Sequence, residues 1–345
     1  MRVKIHGGST PPCCHDFSAP LNPLGPPPRL QDIVEECIAR RVHLRYPHPR
    51  LQGLRERLAD WHRLDPQQVV PLNGAAEALA LLPPLLGARR LVVVEPCFGD
   101  HAAHAKAWGI PLLRVAWRQW PLPLGLLAEA AGERGVVLVS RPVNPTGALP
   151  AAGELEELAA MLWRRGGHLV VDEAFIDLSP GAEPLEPGPG LVVVRSMTKT
   201  FATPGLRLGY VAAEPGLAER IWMALQAWPV GGLEECVYKS LLADERSRWH
   251  VSTARLLVAE EEPRLRAALG SLGLGAGESR APFLLLSHPW LPHPWMGRLL
   301  ARHGVYVRDA SSFHGLGPGH SRVSIRTVGE NDALIEAMRR VVRDA

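Results

Sequence analysis

The chain has 345 residues, 46% hydrophobic and 21% charged, which excludes disordered and fibrous classes and allows two compact units around a large core. A net charge of +3, without a basic run or aromatic-basic interleaving, argues against a nucleic-acid partner. The longest apolar runs, 79–86 and 91–94, are far shorter than the roughly 20 residues of a membrane helix, and residues 1–9 have no signal-peptide core. A soluble, cytoplasmic globular protein is expected.

Four of the 38 basic residues are lysines (Lys4, Lys106, Lys199 and Lys239), so chemistry that needs an amine has four candidates. The five cysteines form no C-x-x-C and are odd in number, which argues against a disulfide framework and favours a reducing compartment. Adjacent Cys13 and Cys14, with His15, are poorly placed to converge on one metal ion, and no metal is expected.

In chain order, residues 1–29 are Pro-rich and aperiodic, an extended arm. Helical patterns follow at 30–42 and 49–62, separated by the breaker run Tyr46-Pro47-His48-Pro49. From Asn73 the chain alternates helices (74–86, 100–108, 153–165) with short apolar strands at 91–95, 112–116, 136–140, 168–172 and 191–195. Continuous apolar strands between helices predict an α/β fold with a mainly parallel sheet covered on both faces. Helical stretches occupy 216–228 and 233–269. Strands near 283–286, 305–308 and 322–325 and a helix at 331–342 form a smaller α+β domain.

Ligands of such sheets gather beyond the carboxyl ends of the strands. Four polar groups fall there: Asn73-Gly74-Ala75-Ala76 opening a helix, Asn144-Pro145-Thr146-Gly147, Asp172-Glu173, and Ser196-Met197-Thr198-Lys199. A helix start with small residues offers free amides and positive dipole to a phosphate; an ordinary Asn-Gly turn is the blander account. Lys106 and Lys239 lie in helical patterns with solvated heads, and Lys4 in the arm. Lys199 directly follows a buried strand, where desolvation lowers an amine's pKa and suits it to a Schiff base; a solvated loop lysine is the alternative. Asp172 is either the partner of a cationic ring nitrogen or a turn cap. Taken together, an amine, an acid and an amide on three strand ends are what pyridoxal 5′-phosphate needs.

With Asn144-Pro145-Thr146-Gly147, Asp172-Glu173-Ala174-Phe175, Ser196-Met197-Thr198-Lys199-Thr200 and Pro204-Gly205-Leu206-Arg207-Leu208-Gly209-Tyr210, the sequence resembles the fold-type-I, class I/II aminotransferase family over nearly its whole length. The resemblance implies pyridoxal 5′-phosphate bound covalently to Lys199, with Asp172 on the ring nitrogen and Asn144 on the ring oxygen. Gly74, Ala75, Ala76, Ser196 and Arg207 would cup the phosphate, and Phe98 would stack on the ring. Tyr46 would reach the phosphate of a neighbouring subunit, making a homodimer with shared sites. It also implies residues 1–42 as an arm and first helix packing with the small domain, 43–230 as the large cofactor-binding domain and 231–345 as the small domain.

The arm, His6-Gly7-Gly8-Ser9 followed by Asp16-Phe17-Ser18-Ala19-Pro20-Leu21-Asn22-Pro23-Leu24-Gly25, is similar to the threonine-phosphate decarboxylase branch of that family, as is Phe175, where the histidinol-phosphate aminotransferase branch usually has tyrosine. In the first branch His6, Gly7 and Arg308 would hold a substrate phosphate and Arg322 the carboxylate, with Asn22 a further polar contact; the implied reaction is decarboxylation of L-threonine O-3-phosphate. The alternative is transamination of histidinol phosphate or a related substrate. Three departures stand out: Pro20 replaces an expected Asn, residues 228–232 replace a motif that carries Ser and Asn, and Ala75 and Ala76 lack the polar side chains often found in the phosphate cup.

Overall fold

The computed structural model describes residues 7–8, 15–117 and 121–344. The arm contributes β1 (His15–Asp16) and is followed by helices α1 (Leu30–Ala39) and α2 (Gln52–His62). Next come β2 (Val69–Leu72), α3 (Ala75–Leu85), β3 (Leu91–Glu95), the single turn α4 (Asp100–Ala103), β4 (Leu112–Ala116), α5 (Leu124–Ala131), β5 (Val136–Ser140) and α6 (Ala152–Trp163). Then β6 (His168–Asp172), β7 (Leu191–Ser196), the turn α7 (Met197–Thr200), β8 (Gly209–Ala212) and α8 (Pro215–Ala224) complete the first unit. The rest is α9 (Gly232–Ala243), α10 (Glu245–Ser271), β9 (Gly275–Ala276), β10 (Phe283–Ser287), α11 (Trp295–Arg302), β11 (Val305–Tyr306), β12 (Arg308–Asp309), β13 (His320–Ser324) and α12 (Val328–Asp344).

Seven strands form the central sheet in the order β2-β8-β7-β6-β5-β3-β4. β3 to β7 run parallel, as the apolar runs between helices require, and β8 is antiparallel to both β7 and β2. β2, β8 and α5 were not anticipated: Val69–Leu72 carries a proline and Gly209–Ala212 is only four residues long, both weak strand signals. The 100–108 helix shrinks to one turn, and the 233–269 stretch breaks at Asp244, whose carboxylate caps α10 by accepting from the Arg246 amide.

Side-chain alternation divides the sheet's two faces. Val193 and Tyr210 join a core with α2, α6 and α9, whereas Val170, Val192 and Val194 join a core with α3. A third core lies on the four-stranded antiparallel sheet β12-β13-β10-β9 with α11, α12 and the second half of α10. α10 bridges the units: Val251 and Ala254 belong to the first core, Val258, Leu265 and Leu269 to the third.

Beyond the boundary expected at residue 231, Val237, Tyr238, Leu241 and Leu242 of α9 pack in the large-sheet core. So do Ile33 and Cys37 of α1, and this helix lies on α9. What joins the small domain is the arm: β1 pairs in parallel with β11, Phe17 accepts from the Ser324 amide, and its fully buried ring sits in the third core. The α1–α9 contact also brings Cys37 and Cys236 into a disulfide, with Cα atoms 6.1 Å apart across 199 residues of sequence, a pairing that spacing could not reveal.

Phe17→Ala should remove the arm's main anchor. The expected outcome is a loss of about 3 kcal/mol in urea unfolding and faster proteolysis of the arm; unchanged stability and protection would show that β1 pairing alone holds it.

Candidate active site

The carboxyl ends of β5, β6 and β7 lie side by side, with Ser140 opposite Asp172 and Asp172 opposite Val194. Asp172 and Ser196 project to the α3 face of the sheet, since they continue the alternation of Val170 and of Val192 and Val194. The buried Asp172 carboxylate meets His101 Nε2 at 2.9 Å through Oδ2 and accepts the Ala174 amide through Oδ1. His101 was not singled out from the sequence. Its signal was its place on the one-turn helix after Phe98, beyond the end of β3, and its ring packs edge-on to Phe98 at 6.0 Å.

Lys199 sits on the turn α7, partly exposed, with Nζ 5.7 Å from the centre of the Phe175 ring. Burial, reinforced by Arg322 and Arg207 and opposed by Asp172, pushes its pKa down to about 8. The arm grips this turn directly: the Asn22 amide donates to Lys199 O, and Asn22 Nδ2 to Thr200 O at 2.9 Å. Asn22 Oδ1 accepts from the Leu24 amide, so the carboxamide bonds backbone on both sides and ties the arm to the Lys199 turn.

Gly74 and Arg207 form a cup at the start of α3. A Cβ on Gly74, at φ +84°, would lie 2.7 Å from the Arg207 guanidinium, and one on Gly209 would collide with the Ala75 amide. The Ala75 and Ala76 amides lie in the first turn of α3, where no helix carbonyl reaches them. Ser196, the residue before α7, completes this end of the site.

On the other side, Arg322 on β13 donates to Asn144 Oδ1 at 2.7 Å and to Ser18 O at 2.8 Å. Burial and Arg308 push its pKa down to about 9, so it stays protonated at neutral pH. Arg308 lies directly opposite Arg322 across the β12–β13 pair, with a hydrogen bond to Ser312 Oγ. Both guanidiniums lie over Phe313, at 5.8 and 5.7 Å. Ser18, whose carbonyl binds Arg322, in turn receives the Gly8 amide on Oγ, and a Cβ on Gly7 would collide with it. Gly7 thus packs on Ser18, the residue whose carbonyl binds Arg322, while His6 lies outside the described residues. Tyr46 stands apart: 77% exposed, stacked on Trp228 at 4.0 Å, beside a cleft of about 410 Å³ lined by Arg40, Arg45, His48 and Lys239.

The chain belongs to the class I and II aminotransferase family. The family's sequence model matches residues 22–338. Threonine-phosphate decarboxylase of Salmonella typhimurium is 31% identical, covering 97% of this chain and 93% of that protein. Histidinol-phosphate aminotransferase of Symbiobacterium thermophilum is 34% identical, covering 92% and 88%. Among solved structures, histidinol-phosphate aminotransferase of Sinorhizobium meliloti in complex with pyridoxal 5′-phosphate superposes with a TM-score of 0.82 at 22% identity, covering 95% of this chain and 92% of that one.

Pyridoxal 5′-phosphate is the cofactor of this family, and the residues present fit it. Of the four buried side-chain atoms without a protein hydrogen bond among the described residues, three are here: His101 Nδ1, Ser140 Oγ and Arg322 Nε. The Gly74–Arg207 cup would take the phosphate, Asp172 the ring nitrogen, and Lys199 the aldehyde carbon.

An amine with its pKa near 8 is largely neutral, and so nucleophilic, above that pH, whereas an ordinary lysine requires about 10.4. Cofactor-free protein should therefore capture pyridoxal 5′-phosphate covalently with a pH midpoint near 8, read by absorbance; a midpoint above 10 would contradict the desolvated amine. Lys199→Ala should yield no borohydride-trapped cofactor, and trapping that persists would place the reactive amine elsewhere.

Proposed function

We propose that this family member decarboxylates L-threonine O-3-phosphate to (R)-1-amino-2-propanol O-2-phosphate, a step of cobalamin biosynthesis, as a cytoplasmic homodimer in which Tyr46 reaches the neighbouring site. The observation that carries this reading is the buried pair Arg308 and Arg322, facing each other across two strands. Both guanidiniums lie over the Phe313 ring on one side of the site, and their charges suit a ligand with two anionic groups. Arg322, tied to Asn144, would take the carboxylate, and Arg308 the phosphate. The curated relatives include two decarboxylases of this kind, one of them marked putative, and a bifunctional adenosylcobalamin biosynthesis protein.

When bound, pyridoxal 5′-phosphate supplies the electron sink for the Cα bond that stands perpendicular to its ring. The protein's part is to decide which bond that is. Arg322 grips the carboxylate through charge-assisted hydrogen bonds, and Arg308 fixes the far end, so the two anchors set rotation about Cα. Asp172, oriented by His101 and the Ala174 amide, offers its carboxylate to a protonated ring nitrogen. Lys199 Nζ is the nearby group able to hold a proton for delivery to Cα. Phe175 and Phe283, edge-to-face at 5.2 Å, wall this region with apolar surface.

The same arginine pair also suits the two carboxylates of a dicarboxylic amino donor, which is the specific ground for the second reading, a histidinol-phosphate or related aminotransferase. Incubation with L-threonine O-3-phosphate should release stoichiometric CO2 without any keto acid. Glutamate formed from histidinol phosphate and 2-oxoglutarate, with no CO2, would sink the decarboxylase reading. Arg308→Ala should raise KM for the phosphorylated substrate roughly 30-fold, about 2 kcal/mol, and leave the dephosphorylated analogue nearly unchanged; equal losses would remove Arg308 from the phosphate site.

A further inference from the structure

Behind the sheet, on the face away from α3, a buried chain of hydrogen bonds runs between the segments that carry Asp172 and Lys199. Arg195 and Tyr210 lie on that face, and His62, the last residue of α2, closes the chain. Arg195 Nη1 donates to Tyr210 Oη at 3.1 Å, Tyr210 Oη meets His62 Nδ1 at 2.6 Å, and His62 Nε2 meets Asp177 Oδ1 at 2.9 Å. Thr200 Oγ1 donates to Asp177 Oδ2 at 2.5 Å. At the other end Glu173 accepts from Arg195 Nε at 3.0 Å and from Arg141 Nη1 at 2.9 Å.

The proton positions follow from the partners. Burial pushes the His62 pKa down, against the pull of Asp177, with Arg195 and Arg248 adding to the fall; the ring is neutral. Burial also pushes the Tyr210 phenol up, so it keeps its proton. For Asp177 burial acts upward, but His62 and Thr200 outweigh it and hold the carboxyl well below the usual range. Tyr210 therefore donates to His62 Nδ1, and His62 Nε2–H donates to Asp177, a head-to-tail run in which each donor has one acceptor. Two guanidiniums, two carboxylates and a neutral imidazole also balance in charge. Such buried networks contribute little net stability compared with apolar packing, but they demand specific geometry.

The network staples segment 172–178 to segment 195–200 at two points, Glu173–Arg195 and Asp177–Thr200. One staple is a residue from Asp172 and the other a residue from Lys199. We propose that His62 is a positioning residue: by completing this network it fixes the distance and orientation between the Asp172 carboxylate and the Lys199 amine. This rests on Lys199 and Asp172 being the cofactor-binding pair. Loss of the imidazole would leave the Tyr210 hydroxyl without its acceptor and Asp177 Oδ1 without the His62 donor, so that Asp177 is held less firmly against Thr200 and the Lys199 turn loosens.

The test uses the holoenzyme of the wild type, His62→Ala, His62→Gln and Tyr210→Phe. Borohydride trapping and peptide mapping come first; label that is absent from Lys199 in the wild type would overturn the cofactor assignment and this inference with it. With Lys199 labelled, His62→Ala should shift the pH midpoint of the bound cofactor's visible absorbance by at least half a unit. It should also lower kcat about tenfold with KM within twofold, and His62→Gln, which can still donate to Asp177, should recover most of both. Tyr210→Phe deletes one hydroxyl from the network and should move the same midpoint in the same direction, which keeps the test alive where His62→Ala fails to fold. Variants that melt earlier but keep the wild-type midpoint and kcat would show a merely structural network and refute the inference while leaving Lys199 in place.

Discussion

Arg322 brings a full charge into a buried pocket where its hydrogen-bond partners are two neutral oxygens, Asn144 Oδ1 and Ser18 O, with a second guanidinium, Arg308, facing it. A buried charge without a counter-charge is costly, and the surrounding structure is arranged to hold it there. Asn144 ties it to the large sheet, Ser18 to the arm, and β13 to the small domain. The three parts of the chain therefore meet on one guanidinium.

The arm is more than a covering strand. Phe17 anchors it in the small-domain core, Ser18 offers its carbonyl to Arg322, and Asn22 bonds the backbone of Lys199 and Thr200. Within a few residues it touches both Arg322 and the Lys199 turn. A chain with Pro20 in this arm retains that double contact because the bonds come from backbone atoms and from Asn22, not from residue 20.

The central sheet separates two tasks by its two faces. The α3 face carries Asp172, Ser196 and the Gly74–Arg207 cup, where orphaned atoms and crowded glycines leave space for a ligand. The opposite face carries His62, Arg195 and Tyr210, bonded to one another and to Asp177 and Glu173. Strand alternation makes this division unavoidable: adjacent residues Asp172 and Glu173, or Arg195 and Ser196, serve different faces while sharing one backbone. Rigidity behind the sheet is thus transmitted to the chemistry in front of it through single peptide units.

The sequence by itself determined the parallel α/β framework, the strand ends where ligands gather, and the candidates Lys199, Asp172 and Asn144, because these depend on local periodicity and on short motifs at fixed offsets, while Arg322 was implied by the family resemblance. Lys199 was legible since only four lysines compete and one follows a buried strand. Tertiary structure decided the rest. His101 meets Asp172 across 71 residues, Arg322 meets Asn144 across 178, and His62 meets Asp177 across 115. The packing of α1 on α9, with its disulfide, and the commitment of Asn22 to the Lys199 turn belong to the same class. Contacts of that range depend on how whole elements pack, and packing is set by the sum of many small burial terms that no short window of sequence contains.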